Sequence, residues 1–268
     1  MASLAKVVSD IRSLKIQGAQ ATAEAALKAY ADAKNKQQAA KLLKSARPTE
    51  PMLFNAICAA ERGADPEKLI QKFRRDKERI YEFGASLIKN NSVVFTHCHS
   101  STVVGILKRA KAEGKKFTVH NTETRPMYQG RITASELAKA GIEVHHFVDS
   151  AALQALKSAD IFLIGADWIL PYGVANKIGT EMFAEIANKY FKIPIYCCSH
   201  SWKFSANKIS IESRPPQEVW ANAPKKAKVY NPAFEIAHSS HFKGIISEYG
   251  VLSFKDFIKK ETARHGRL

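Results

Sequence analysis

Cysteine is scarce in this chain, and so are the features of exported or membrane proteins. Only four cysteines occur among 268 residues, irregularly spaced and without a CxxC pair, which argues against a disulfide framework and fits a reducing compartment. No run approaches the roughly 18 apolar residues of a membrane span, and the N-terminus lacks an apolar run of signal-peptide length. These absences predict a cytoplasmic protein with no membrane partner.

Acidic residues are also few. Lysine and arginine number 41 against 25 aspartates and glutamates, a formal net charge of +16. The excess predicts anionic neighbours, but it fits a solvated basic surface, a nucleic-acid surface or a phosphorylated small substrate alike. Because neither an RNP-type aromatic motif nor a zinc finger accompanies the charge, a nucleic-acid partner stays open but is not expected.

Two patterns divide the chain. From Ser3 to about Gly84 the residues favour helices: "AQATAEAALKAYADAK" is rich in alanine, and apolar residues in "DPEKLIQKFRRDKERIYEFGASLI" recur at helical spacing. From Ser92 onward, short apolar strands such as "SVVFTHC" and "DIFLIGAD" alternate with amphipathic helices, which is typical of parallel βαβ units. We therefore predict an α/β protein with a helical N-terminal domain over residues 1–88 and an α/β domain over residues 89–268.

Polar residues cluster where the predicted strands end. In a doubly wound parallel sheet, ligands bind beyond the carboxyl ends of the strands, where loops and helix N-termini converge. Five predicted strand ends carry polar residues, more than chance alone accounts for, and these lie at 96–101, 121–125, 149–150, 165–167 and 199–203. The sequence therefore predicts one pocket lined by these ends.

The stretch "THCHSSTVVGIL" ends the first of these strands and opens a helix. Cys98 stands at the strand end, and Ser100, Ser101 and Thr102 begin the helix, where free amides favour a phosphate and lower the pKa of a nearby thiol. A metal site formed by His97, Cys98 and His99 is a poor alternative, because neighbouring residues in an extended chain point to opposite sides. An inert buried cysteine remains the plain alternative to a catalytic thiol.

The strand "IFLIGADWI" delivers a single carboxylate, Asp167, to the predicted pocket. Apolar neighbours such as Ala166 and Trp168 predict a raised pKa for this group, which suits a proton donor. A helix cap or a salt-bridge partner is the alternative for the side chain. Asn176 and Lys177 follow in "GVANKIGT", ahead of another predicted helix.

Taken in order, the motifs resemble those of a known family, the archaeal ribose-1,5-bisphosphate isomerases. The resemblance is carried by "THCHSSTVVGIL", "TETRPMYQGRITASELAKAGI", "VDSAAL", "IGADWI", "GVANKIGT", "WKFS" and "YNPAFEI". The superfamily also includes the methylthioribose-1-phosphate isomerases and the alpha, beta and delta regulatory subunits of translation initiation factor 2B. The resemblance covers almost the whole chain, and it is more specific for the superfamily than for one member.

The resemblance implies a helical domain packed on a Rossmann-like domain with helices on both faces of its sheet, and a sugar phosphate bound between them. It implies catalytic roles for Cys98 and Asp167, no metal or nucleotide cofactor, and a homodimer or hexamer. A loop with Arg125 and Gln129 is expected to edge the site, with Arg125 in either a salt bridge or a substrate contact. The residues that the resemblance assigns to substrate binding are Gln17, Gly18, Ala19, Arg47, Ser100, Ser101, Thr102, Asn176, Lys177 and Lys203.

The chain departs from the family pattern in one turn. The isomerases usually have Arg-Gly-Ala where this chain has Gln17, Gly18 and Ala19, so one phosphate-facing guanidinium is absent. The departure and the net charge leave a second interpretation open, a non-catalytic regulatory subunit resembling those of translation initiation factor 2B. An isomerase for a related sugar 1-phosphate is a third.

Because the chain has both Cys98 and Asp167, the resemblance favours an isomerase that converts ribose 1,5-bisphosphate to ribulose 1,5-bisphosphate. A ribose with a phosphate at C1 is locked as a ring, so an acid must open the ring before C1 and C2 exchange oxidation states. We expect protonated Asp167 to be that acid and the Cys98 thiolate to move the proton at C2. An enolate route and a hydride shift from C2 to C1 both stay open.

Overall fold

A computed structural model describes residues 3–207, 209, 211 and 213–265 and shows a mixed α/β protein. The N-terminal part is helical, and the C-terminal part contains two β-sheets, so the predicted fold class is confirmed. None of the helices among these residues is both long and apolar enough to cross a membrane. The N-terminal helices are α1 (Leu4–Arg12), α2 (Ala19–Asp32), α3 (Lys36–Ala46), α4 (Pro51–Glu61) and α5 (Pro66–Ser86).

Local capping residues set where these helices begin. The Asn35 side chain accepts a hydrogen bond from the Gln38 amide at the start of α3, and Asp65 accepts one from the Glu67 amide at the start of α5. Each bond satisfies an amide that has no partner within the helix. Pro66 then occupies the first position of α5, where its missing N–H costs nothing.

The apolar core of the helical part includes one side chain from far along the chain. Phe73 of α5 is fully buried there, and its ring lies edge-on to that of Trp202, with the centroids 5.0 Å apart. Trp202 follows a strand of the α/β part. The two parts of the molecule are therefore joined through a shared core.

The larger sheet is seven-stranded and mostly parallel. Its order is β3-β2-β1-β4-β7-β9-β10, and only β10 runs antiparallel to its neighbour; β5, β6 and β8 form a separate antiparallel sheet. The strands are β1 (Ser92–Thr96), β2 (Phe117–Thr122), β3 (Glu143–Phe147), β4 (Ile161–Ile164), β5 (Trp168–Leu170), β6 (Gly173–Lys177), β7 (Ile195–Cys198), β8 (Phe234–His238), β9 (Phe242–Ser247) and β10 (Gly250–Leu252).

Helices cover both faces of this sheet. Successive residues of a strand point to opposite faces, so Val94 of β1 packs into the core on one face and Phe95 into the core on the other. The C-terminal half of α5 with α6 and α7 forms the first layer, and α8, α9 and α10 form the second. These helices are α6 (Ser101–Ala112), α7 (Gln129–Lys139), α8 (Ala152–Leu156), α9 (Thr180–Ile186) and α10 (Phe254–His265).

Helix α5 belongs to both parts of the molecule. Its first half contributes Phe73 to the helical core, whereas Ile80 and Ala85 pack against the sheet. The second half lies so close to α6 that a Cβ atom at Gly105 would overlap the ring of Tyr81. The boundary predicted after residue 88 thus follows the end of α5, but the helix itself continues from one core into the other.

The substitution Gly105→Ala tests the close approach of α5 and α6. Alanine is the better helix former by about 1 kcal/mol, but its methyl group has to displace the Tyr81 ring. We therefore expect the free energy of unfolding, measured by urea denaturation, to fall by about 1 to 3 kcal/mol. In a Tyr81→Ala background the same substitution should cost much less. Equal costs in both backgrounds would contradict the steric explanation.

Candidate active site between the two domains

Cys98 and Asp167 follow adjacent strands of the large sheet. Strand β1 pairs directly with β4; Cys98 comes two positions after β1 ends, and Asp167 three positions after β4 ends. The chain winds outward in opposite directions from this pair, since β2 and β3 lie beyond β1 while β7 and β9 lie beyond β4. Open α/β sheets bind ligands at such a switch point, and both side chains emerge there.

The loops after β1 and β4 contact each other. A Cβ atom on Gly165 would lie 2.6 Å from Ser100 Oγ, so the glycine permits this approach. Ser100 is the N-cap of α6, and its Oγ accepts a hydrogen bond from the Val103 amide at 3.3 Å. The start of α6 therefore lies directly against the segment that leads to Asp167.

The backbone of Cys98 is held in a left-handed conformation, with φ at 66°. Its N–H donates to Thr124 Oγ1 at 3.0 Å, and its carbonyl accepts a hydrogen bond from Thr133 Oγ1 at 2.9 Å. Asp149 in turn accepts hydrogen bonds from the amides of Thr124 and Arg125 through its two carboxylate oxygens. Three strand ends thus cooperate to fix the cysteine, and strain of this kind is common at functional sites.

The charge state of Cys98 differs from the sequence-based expectation. Burial raises the pKa of the thiol to about 12; the amide of His99 opposes the shift, and the charge of Asp167 adds to it. The prediction that the helix start lowers this pKa is therefore wrong, because loss of hydration outweighs the few amides that face the sulfur. Cys98 is a neutral thiol in the ligand-free protein.

The Asp167 carboxyl has the raised pKa that its apolar strand predicts. Burial raises this pKa, and Lys203, Arg47 and Lys177, in that order, oppose the shift. The Asp167 amide donates to the Ala175 carbonyl at 2.9 Å, which ties the residue to β6. The site therefore holds a carboxyl that can carry a proton among three cations.

Both domains supply these cations. Arg47 ends α3 of the helical part, Lys177 ends β6, and Lys203 lies in the turn after β7. Lys203 Nζ donates to the Ala166 carbonyl at 2.6 Å, next to Asp167. Lys177 is only 7% exposed, and no carboxylate of the described residues forms an ion pair with it. A buried cation without an acidic partner is well suited to an anionic ligand.

Other predicted contacts have local roles or lie at the rim. Asn176 donates to Thr180 Oγ1 at 3.1 Å, which orders the segment between β6 and α9. Ser101 is exposed and lines a groove of about 480 Å³ between α5 and α6, on the side of Lys77. Thr102, beside it, is half-buried in the first turn of α6. The predicted substrate contacts of Ser101 and Thr102 therefore remain predictions.

The turn before α2 is held by local contacts. Gln17 is exposed, and its side-chain amide donates to the Leu14 carbonyl at 2.7 Å. Gly18 has φ at 88° and forms the N-cap of α2, which begins with half-buried Ala19. No hydrogen bond among the described residues links Gln17, Gly18 or Ala19 to the loops around Cys98. Their predicted role in phosphate binding remains a prediction.

The predicted loop over residues 125–129 is held by its own contacts. The Arg125 guanidinium donates to Tyr128 Oη at 2.7 Å and to the Val219 carbonyl at 3.1 Å. Neither partner is acidic, so Arg125 forms no salt bridge among the described residues, and its substrate contact remains a prediction. The side-chain oxygen of Gln129 is buried without a hydrogen-bond partner.

Two site residues were missed by the sequence analysis. Glu50 is the N-cap residue of α4 and is only 7% exposed. Asn55, on the same helix, donates to the carbonyls of Trp202 and Phe204 at 2.8 and 3.2 Å, on either side of Lys203. The motif "RPTEP" predicts a helix start, but nothing in it shows that the glutamate is buried against another domain.

A second polar cluster lies behind Lys203, where α5 meets the turn after β7. The Nε2 atom of His200 lies 3.2 Å from Asp76, and its Nδ1 accepts a hydrogen bond from the Trp202 amide. Two groups contain residue types that can bind a metal ion: Asp76, His200 and Glu248 in this cluster, and Glu181, Glu185 and His241 on the outer side of α9. In the first group, Lys72 contacts Asp76 and Ser201 contacts Glu248, so their oxygens already have partners.

His97, next to the candidate thiol, is a buried neutral histidine. Its Nε2 lies 3.0 Å from the Ile178 carbonyl, which can only accept, so Nε2 carries the proton and Nδ1 accepts from Thr122 Oγ1 at 2.7 Å. Burial lowers the pKa of His97 to about 4. His99 bonds instead to Thr133, at 3.0 Å, so the two rings serve different neighbours.

The lowered pKa of His97 predicts that the folded protein loses stability in acid. Between pH 6.5 and about 4 the unfolded chain binds a proton at His97 that the folded chain does not, so stability falls as the pH falls. We expect this group to contribute about 3 kcal/mol to the fall. Chemical denaturation of wild type and His97→Gln at pH 7 and pH 4.5 measures it. The variant should lose less stability in acid, whereas the exposed-site control His238→Gln should behave like wild type.

Comparison with known proteins identifies relatives of this chain. Residues 6–254 match the Initiation factor 2 subunit family. The ribose 1,5-bisphosphate isomerase of Thermococcus kodakarensis is 37% identical over 252 aligned residues, which cover 82% of this chain and 77% of that protein.

Solved structures share the fold. The 5-methylthioribose 1-phosphate isomerase of Pyrococcus horikoshii matches with a TM-score of 0.79 and 26% identity, over 98% of this chain and 88% of that one. Translation initiation factor eIF-2B from the same organism matches with a TM-score of 0.78 and 24% identity, over 93% of this chain and 96% of that one. The second likeness shows the fold alone.

Proposed function

Since this chain belongs to the Initiation factor 2 subunit family, we propose that it is a sugar-phosphate isomerase that converts ribose 1,5-bisphosphate to ribulose 1,5-bisphosphate. The observation that carries the proposal is the pairing of Cys98 and Asp167 at the switch point of the sheet. Three cations from the two domains, Lys203, Arg47 and Lys177, oppose the raised pKa of the Asp167 carboxyl. The relative with the same activity in its name supports the choice of substrate.

Asp167 is the acid that opens the ring. In its protonated form it donates a proton to the ring oxygen as the bond from C1 to that oxygen breaks, which leaves a positively charged C1 stabilised by its phosphate oxygen. A raised pKa keeps the proton available for this step. The carboxylate that remains lies among Lys203, Arg47 and Lys177, which stabilise its new charge.

Cys98 moves the proton between C2 and C1. Its thiolate removes the C2 proton, and the electron pair of that bond forms a double bond to C1; the thiol then returns the proton to C1. The C2 hydroxyl loses its proton to the Asp167 carboxylate, which yields the ketone and restores the acid. Because the free thiol is neutral, it must lose its proton to solvent as the ligand binds, and the Lys177 charge favours the resulting thiolate.

The phosphates of the ligand require positively charged partners. We assign Arg47, Lys177 and Lys203 to the ligand's phosphates, with the first amides of α6 as additional donors. Because one structural neighbour is an isomerase of 5-methylthioribose 1-phosphate, a related sugar 1-phosphate is the alternative substrate for the same chemistry.

The substitutions Cys98→Ser and Asp167→Asn test the assigned roles. Each should lower turnover by about 10²- to 10⁴-fold, the usual contribution of a positioned acid or base. Turnover is measured by phosphorus or carbon NMR after incubation with ribose 1,5-bisphosphate, and circular dichroism verifies the fold. A variant with more than about a tenth of wild-type activity would remove that residue from the mechanism. Absence of turnover in the wild type with either sugar would favour the non-catalytic, regulatory alternative.

We further propose a homodimer or larger assembly in the cytoplasm. The proposal follows the family resemblance, and exposed apolar side chains such as Met127, Val148 and Trp220 are suitable contacts between copies. Light scattering at micromolar concentration should report at least twice the chain mass of 29.7 kDa. A monomer at that concentration would contradict the assembly without affecting the proposed chemistry.

A further inference from the structure

Glu50 is a buried carboxyl group that the mechanism does not use. Its side chain is 7% exposed, and its Oε1 atom has no hydrogen-bond partner. It occupies the N-cap position of α4, where the Met52 amide favours its charged form, but that amide leaves Oε1 without a partner. An unpaired polar atom inside a protein is costly, so the burial of Oε1 calls for an explanation beyond the helix start.

The charged groups around Glu50 are those around Asp167. Lys203 and Arg47 lower the pKa of both carboxyls, and the Asp167 charge raises the pKa of Glu50. Burial raises the pKa of Glu50, and these cations oppose the shift. Two acids, one from each domain, therefore share the same two cations.

The position of Glu50 relative to Lys203 is fixed by packing. Asn55, later on the same helix, donates to the carbonyls on either side of Lys203. Trp202 is anchored in the core of the helical part, with its ring against that of Phe73. The start of α4 and the Lys203 turn therefore form one unit, and Glu50 cannot move away when a ligand enters without disturbing both.

The charge of Glu50 consequently decides how well a phosphate binds. With Asp167 protonated, as the proposed mechanism requires, an ionised Glu50 offsets one of the two positive charges of Arg47 and Lys203, and a phosphate gains less there. If Glu50 is protonated, both positive charges are available, and the carboxyl O–H can itself donate to a phosphate oxygen. We propose that Glu50 is a specificity-determining residue that competes with a ligand phosphate for Arg47 and Lys203. This inference rests on the proposed function, because it takes the ligand to be a phosphorylated sugar.

The test compares wild type, Glu50→Gln and the control Glu61→Gln, which removes a carboxylate from the far end of α4, where it pairs with Lys44. Dissociation constants for ribulose 1,5-bisphosphate are measured by calorimetry from pH 5.5 to 9. Titration of the phosphates is common to all three proteins, so differences between them report on the substituted residue.

We expect wild type and the control to lose affinity as the pH rises, more steeply than Glu50→Gln does. At the alkaline end Glu50→Gln should bind the bisphosphate about tenfold more tightly, the size of one charge-assisted contact. Equal or weaker binding by Glu50→Gln throughout the pH range would overturn the proposal.

A measurement on the wild type alone guards against a variant that fails to fold. The probe is sulfate, a dianion that carries no proton near neutral pH and has no sugar for which Cys98 would have to ionise. A carboxyl that must become neutral is then the group expected to take up a proton on binding. Calorimetry with sulfate at the alkaline end of the pH range, in two buffers of different ionisation enthalpy, should therefore show proton uptake. Sulfate binding without proton uptake would count against the proposal.

NMR turnover assays on the same preparations separate the two ideas. Turnover without any effect of Glu50→Gln on affinity would leave the isomerase standing and remove the role of Glu50. An effect of Glu50→Gln on affinity without any turnover would support the role of Glu50 and contradict the isomerase. If neither the bisphosphate nor inorganic phosphate binds to the wild type, both proposals fall.

Discussion

Burial of carboxyl groups among cations is the constraint on which this site depends. Asp167 lies three positions after strand β4 and Glu50 begins a helix of the other domain, yet burial raises the pKa of both carboxyls, and Lys203 and Arg47 oppose both shifts. A carboxyl at the surface would be ionised and could not donate a proton, whereas a buried one without cations could not ionise. The balance of the two effects suits the pocket to the proposed acid chemistry and anion binding.

The same loss of hydration keeps Cys98 neutral. A neutral thiol protects the free protein from oxidation and from reaction with unrelated electrophiles, because the thiolate is the nucleophile. The proposed mechanism requires the ligand complex to create the thiolate, and the buried Lys177 is a cation already in place for it. In that mechanism, the reactivity of Cys98 depends on occupation of the site.

The positions of these groups depend on contacts between domains. Helix α5 enters both cores, Trp202 completes the helical core, and Asn55 holds the Lys203 turn from the opposite domain. Each contact joins residues that are distant in sequence. A change in any of them would alter the distance between Asp167 and its cations, so the stability of the interface and the properties of the site are linked.

Much of the site could be predicted from local patterns. The apolar strand "IFLIGADWI" shows that Asp167 is a lone carboxyl in apolar surroundings, and its pKa is raised as expected. The five polar segments predicted to end strands do lie at the carboxyl ends of β1, β2, β3, β4 and β7, all of them parallel. The burial of Glu50 could not be predicted in this way, because the motif "RPTEP" fits an exposed N-cap glutamate equally well.

The sequence by itself determined the helical N-terminal part, the five parallel strands β1, β2, β3, β4 and β7, and the polar side chains at their ends; it did not predict the antiparallel sheet of β5, β6 and β8. These features follow from short-range periodicity, capping and strand burial, which neighbouring residues report directly. Only the tertiary structure decided the charge state of Cys98, the burial of Glu50 and the cations that act on both acids. Hydration and electrostatic interaction depend on every atom within several ångströms, and here those atoms come from α3, α4, β6 and the turn after β7.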